Sequence, residues 1–189
     1  MAAVESQMLE LGTIAPEFSL PDPDGGRHSL AESADAYLVM FICNHCPFVK
    51  HIREELARIG QEYGQRNVAI YAINSNDIDK YPADGPAGMK QEAENCGYTF
   101  PYLLDDDQSV AKAYRAACTP DFFVFDRARR LVYRGQLDDS RPSNNKPVDG
   151  GDRRAALDAV LSGSAVDEQQ VPSTGCNIKW KQGNEPDYF

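Results

Sequence analysis

Two uninterrupted apolar runs, Tyr37-Leu38-Val39-Met40-Phe41-Ile42 and Val68-Ala69-Ile70-Tyr71-Ala72-Ile73, constrain the fold of this chain more than any other feature. Runs of this kind read as strands of a parallel sheet covered on both faces. Between them Val49, Ile52, Leu56, Ile59 and Tyr63 recur at three- and four-residue spacing, which lays one apolar stripe along a helix. Pro47 suits the first turn of that helix, where its missing N–H removes no bond, and Gly64 reads as its stop. Strand, helix and strand form a βαβ unit, and Cys43-Asn44-His45-Cys46 stands at its first junction.

The remaining segments surround that unit. Residues 12–32 are an extended, turn-rich lead-in, and Asp24-Gly25-Gly26 between two short alternating runs predicts a β-hairpin. Asn74 to Asp77 ends the second strand, and a loop rich in Pro, Gly and Asp runs to about Gly85. A helix is expected over Pro86–Cys96, a short strand at Tyr102–Leu104, and a helix over Ser109–Arg115 capped by the acidic turn Asp105–Asp107. Phe122–Phe125 and Leu131–Arg134 read as an antiparallel hairpin, and Asp152 as the cap of a last helix through Leu161 to Gly163. The expected class is α/β, a central mixed sheet flanked by helices. One domain would span 12–163, and a tail of irregular sequence, 164–189, would pack on it through the region of Cys176 and Trp180.

At 189 residues the chain is long enough for one well-buried domain with appendages. Its 19 Lys and Arg face 29 Asp and Glu, a net charge of -10, which argues against nucleic acid and anionic membranes as partners. The first ten residues lack a basic stretch followed by an apolar one, and no window approaches the ~18 apolar residues of a membrane span. A cytoplasmic location is therefore expected. Five cysteines, Cys43, Cys46, Cys96, Cys118 and Cys176, cannot all pair with one another, which suits thiols in a reducing compartment better than a disulfide framework.

Two thiols three positions apart at a helix start suit the ~4.4–6.8 Å Cα separation of a disulfide, and the helix N-terminus stabilises a thiolate. Cys43, solvent-facing, is expected to attack a disulfide, and Cys46, in the first helical turn, to resolve the mixed disulfide. His45 would tune the pair by placing a polar or positive group beside the thiolate, favouring the reduced form. One alternative is a pair of inert small residues. Another is half a zinc site, for which His51, Cys118 and Cys176 would have to supply ligands singly. Thr119-Pro120, directly before a hairpin strand, is a candidate cis bond; a trans proline that simply starts the strand is the alternative.

Gly12-Thr13-Ile14-Ala15-Pro16-Glu17-Phe18-Ser19-Leu20, Phe41 to Lys50, Ala72 to Asp77, Cys118 to Phe123, Leu137 to Pro142 and Gly175 to Lys181 together resemble one family. That family is the alkyl hydroperoxide reductase/thiol-specific antioxidant, or peroxiredoxin-like, branch of thioredoxin-fold proteins, in a C-x-x-C-containing subgroup. The resemblance implies a thioredoxin-like fold with cis-Pro120 facing Cys43 and Cys46, and a Thr119-Pro120 backbone clamp for an extended substrate. It departs in several places. Ile42 stands where thioredoxins carry Trp, and Tyr37 where they bury an acid. Peroxiredoxins attack from the position of Cys46, with Thr and Pro where Cys43 and Val39 stand here, and their arginine falls near Pro120. Without that hydroxyl and guanidinium a departing peroxide oxygen loses its donors.

The expected activity is thiol–disulfide oxidoreduction by Cys43, Cys46, His45, Thr119 and Pro120, on a protein or small-molecule disulfide or thiol, with no cofactor. Alternatives are a weak thiol peroxidase or peroxide sensor and, from another class, a copper- or zinc-binding module. Cys118 and Cys176 are candidate extra thiols, Cys96 is expected to be inert, and His28 and His51 to be surface or packing residues. Asp138, Asp139 and Arg141 read as a salt-linked loop or part of a partner groove, and the loop at 77–86 as a wall of the substrate groove, since it leaves the C-terminal end of a parallel strand.

Overall fold

A computed structural model describes residues 3–189. The elements run β1 (Ala3–Glu5), β2 (Ser19–Pro21), β3 (Arg27–Ser29), β4 (Ala36–Phe41), α1 (Pro47–Gly64), β5 (Val68–Asn74), a 3-10 turn at Pro82–Asp84, and α2 (Pro86–Cys96). They continue with β6 (Tyr102–Leu104), α3 (Ser109–Ala113), β7 (Cys118–Thr119), β8 (Asp121–Asp126), β9 (Leu131–Arg134), α4 (Gly151–Ser162) and β10 (Thr174–Asn177). A five-stranded mixed sheet has the order β6-β5-β4-β8-β9, and β2 and β3 form the expected hairpin.

Every residue of β4 is buried, because the strand is central and both its faces are covered. The two-residue period divides its side chains. Leu38, Met40 and Ile42 enter one core with Val49, Ile52, Leu56, Ile59 and Tyr63 of α1. Tyr37, Val39 and Phe41 enter the other, with Tyr114, Phe123 and Phe125. Each large apolar side chain so buried contributes roughly 1.5–3 kcal/mol.

Strand directions decide where the chain gathers its chemistry. β4 and β5 are parallel, so the loops leaving their C-terminal ends lie side by side. β8 is antiparallel to β4 with Asp121 opposite Phe41, which brings its leading residues, Cys118 to Pro120, to the same edge. The tail joins them. β10 inserts between β1 and β7, with Cys176 opposite Thr119, while Ile178 and Trp180 enter the second core.

Some local expectations are corrected. Asp152 does not cap the last helix: Gly150, in the left-handed region, is its N-cap, and Asp152 instead accepts from Gln136 at 2.6 Å. The N–H groups ahead of that helix go to Asp138, whose carboxylate receives Asp149 and Gly150. The helix at 109 ends at Ala113, with Arg115 at φ +50°. Asp105 does serve its start, accepting from Val110 and Ala111. Gly64 is the last residue of α1, and Gln65 is its C-cap. The tail is not wholly irregular, since four of its residues form β10. No helix among the described residues is long and apolar enough to cross a membrane.

Candidate active site

Cys43 and Cys46 lie where β4 gives way to α1, and Cys46 is the N-cap of that helix, with Pro47 behind it. Each thiol influences the acidity of the other. Thr119-Pro120 is a cis peptide bond. The Thr119 hydroxyl lies 3.3 Å from Cys43 Sγ, and its carbonyl accepts from Cys46 Sγ at 3.1 Å. Four of the five residues expected from the sequence therefore form one cluster. All of it is closed over: Cys43 is 1% exposed and Cys46 0%.

His45 is adjacent but does other work. Neither of its ring nitrogens bonds a sulfur; Nδ1 meets Asp84 Oδ2 at 2.6 Å, and the ring stacks on Tyr81 at 5.0 Å. Asp84 is the residue that sequence reasoning missed. It is fully buried in the 3-10 turn after β5, and it accepts from the N–H groups of Asn44 and His45 and from Asn76 Nδ2. Burial works to raise its carboxyl, but the bonds from His45, Asn76 and Asn44 prevail and hold it below the usual range. The only signal was an acid flanked by prolines and glycine in the loop suspected as a groove wall. Tyr37 stands six residues ahead of Cys43, and the carboxylate arrives instead from a neighbouring loop. Gly88 lets that loop close: a Cβ there would overlap the Ala83 carbonyl, which accepts from Asn44 Nδ2 at 2.8 Å.

The surroundings divide the two thiols. The Cys43 thiol is held well above its ordinary range by its bond to Cys46, by burial and by the negative charge of Asp84. Cys46 is pulled down to about 4: the Cys43 bond leads, burial opposes, and the Cys176 thiol and the N–H groups of Val49 and Cys176 add to it. The Thr119 carbonyl acts against this by accepting from the protonated thiol. Cys46 is thus the more acidic thiol of the pair.

The other candidates fall out as follows. Cys118 is buried and turns its thiol to the Pro120 carbonyl at 3.4 Å, and half-buried Cys96 bonds Glu92 at 3.4 Å. His28 bonds Asp22, away from the site. Arg141 donates to Gln136 Oε1 and to the Asp138 and Ser140 carbonyls, so the 138–141 loop is braced internally. It also borders a cleft beside Pro120 that includes Phe48, His51 and Phe122. A metal has one candidate set among the described residues: ligand atoms of Cys43, His45 and Asp84 lie within 4.8 Å of one another.

Comparison with known proteins bears on the family and the fold. The sequence profile of the AhpC/TSA family matches residues 11–134. ResA, a thiol-disulfide oxidoreductase of Geobacillus thermodenitrificans (strain NG80-2), is 27% identical over 127 residues, 65% of this chain and 67% of that protein. A crystal structure of an uncharacterised conserved protein from Geobacillus kaustophilus superposes with TM-score 0.93 at 57% identity, covering 96% of this chain and 97% of that one. The thioredoxin domain of a thiol-disulfide oxidoreductase from Bacteroides vulgatus has TM-score 0.56 at 19% identity, covering 67% of this chain and 88% of that one. The fold is thioredoxin-like.

Proposed function

Because the chain belongs to the AhpC/TSA family, we propose that it is a thiol–disulfide oxidoreductase whose redox couple is Cys43 and Cys46. The observation that carries this reading is the pair of buried thiols at the head of α1, held against the hydroxyl and the carbonyl of Thr119 beside cis-Pro120. The thiolate is the nucleophile in disulfide exchange. The order of attack expected from the sequence is therefore reversed: Cys46 attacks one sulfur of a protein or small-molecule disulfide, and the other sulfur leaves as a thiolate. Once Cys46 is held in the mixed disulfide, its charge no longer opposes ionisation of Cys43. Cys43 passes its proton to the departed thiolate and attacks Cys46, which yields the Cys43–Cys46 disulfide and a second thiolate. Since both sulfurs are closed over, a wall of the site must move before a substrate reaches them.

Dithiothreitol-driven reduction of insulin disulfides tests this reading. Cys46→Ser should fall to the uncatalysed rate; wild-type turnover in that variant would overturn it. Peroxide reduction is disfavoured because Cys43 and Pro120 stand where the hydroxyl and guanidinium donors would. Reaction with hydrogen peroxide is expected to be no faster than that of free cysteine. Metal binding is a second reading, favoured by the approach of Cys43, His45 and Asp84. Metal analysis of untagged protein, with the Cys43→Ser/Cys46→Ser double variant as control, decides it.

A further inference from the structure

Cys46 has a second sulfur neighbour, and it comes from the tail. β10 lies antiparallel on β7 with Cys176 opposite Thr119, whose carbonyl is the one Cys46 touches. Cys46 and Cys176 thus converge on Thr119 from α1 and β10, two elements packed against each other. Gly175 makes the approach possible, because a Cβ there would overlap the Thr119 carbonyl and crowd Pro120. The seat is fixed on its other side as well: β1 pairs with β10, and Ser6 and Ser173 exchange two bonds at 2.9 Å. Cys176 is buried, 4% exposed, in the same core as Cys43 and Cys46.

We propose that Cys176 is a third redox thiol of this site, able to resolve a mixed disulfide on Cys46 in place of Cys43. The inference rests on the reading that Cys46 attacks disulfides. A disulfide of the type R–S–S–R is the oxidant. Cys46 thiolate forms Cys46–S–S–R and releases one thiolate; Cys176 gives that thiolate its proton, attacks the Cys46 sulfur and releases the second. The product is a Cys46–Cys176 disulfide and two reduced thiols R–SH once the second thiolate is protonated from solvent. Attack by Cys176 on Cys46 in the Cys43–Cys46 disulfide reaches the same bond without further oxidant, the proton passing from Cys176 to Cys43. The substrate-binding edge of Thr119 expected from the sequence is thus occupied by the chain's own extended strand, with a cysteine at the position facing the reactive sulfur.

Mapping of disulfides in the full-length protein tests this. Reduced protein is oxidised with glutathione disulfide, blocked with N-ethylmaleimide in denaturant and cut with trypsin without reduction. Cleavage at Arg27, Lys50, Arg154 and Lys179 places Cys43 and Cys46 in peptide 28–50 and Cys176 in peptide 155–179. Wild type should yield peptide 28–50 with an internal disulfide, which supports the couple itself. Cys43→Ser and Cys43→Ala should each yield 28–50 joined to 155–179, and Cys43→Ser/Cys176→Ser should accumulate glutathione on Cys46. If both single variants instead carry glutathione on Cys46 and blocked Cys176, the third thiol is refuted while the couple stands. If wild type forms no bond at Cys46 at all, the disulfide-exchange reading fails with it.

Discussion

Replacing Cys43 with Ala should raise the acidity midpoint of Cys46 by a predictable amount. The leading influence on Cys46 is the Cys43 bond, ahead of the Cys176 thiol and two backbone N–H groups. A hydrogen bond to a charged group is worth about 1.5–3 kcal/mol, and one pKa unit corresponds to about 1.4 kcal/mol. Loss of that single donor should therefore move Cys46 from about 4 up by about 1–2 units. The alanine leaves no hydroxyl to substitute for the thiol, whereas Cys43→Ser should shift it less. The assay is thiolate ultraviolet absorbance against pH, with far-ultraviolet circular dichroism followed over the same range to verify that the protein stays folded. Cys46→Ser should abolish the acidic step and leave only titration above the ordinary thiol range. A wild-type step near the ~8.5 of a free thiol, or an unchanged midpoint in Cys43→Ala, would refute the assignment of charge to Cys46.

Three other perturbations follow from the same contacts. Asp84→Asn removes a negative charge that opposes ionisation of Cys43, so the Cys43 step should fall toward the ordinary range in the same titration; a rise would contradict the geometry. Gly175→Ala forces a Cβ into the Thr119 carbonyl, which should cost about 1–3 kcal/mol in urea unfolding and eliminate the 28–50 to 155–179 crosslink. Asp121 is fully buried, and burial lifts its carboxyl to about 7 against the pull of the Ala117 and Phe122 N–H groups and Arg153. Its folded pKa exceeds the unfolded value of about 3.9, so the stability it adds is complete below that value and is lost as pH rises through 7. The loss is roughly 4 kcal/mol, about three units, and Asp121→Asn should flatten the unfolding profile across this window.

The central βαβ unit was legible because its signals are local. Apolar run, stripe and Pro47 each depend on neighbours a few residues apart, and the structure places α1 at Pro47–Gly64 and β5 from Val68. Asp152 went wrong for a tertiary reason: Gln136, from the β9–α4 connection, claimed its carboxylate. His45 was read as acting on the sulfurs, yet its partner Asp84 is on a separate loop and no spacing in the sequence links them.

What the sequence by itself determined was the reactive material: two cysteines at a helix start, a Thr-Pro ahead of a strand, and a scaffold of alternating strands and helices. The groups that bias the acidity of the two sulfurs come together only in the tertiary structure. Parallel β4 and β5 bring Asp84 against Cys43, and β10 on β7 brings Cys176 against Cys46. Electrostatic preference depends on through-space distance to donors and charges, and here those groups come from segments remote along the chain.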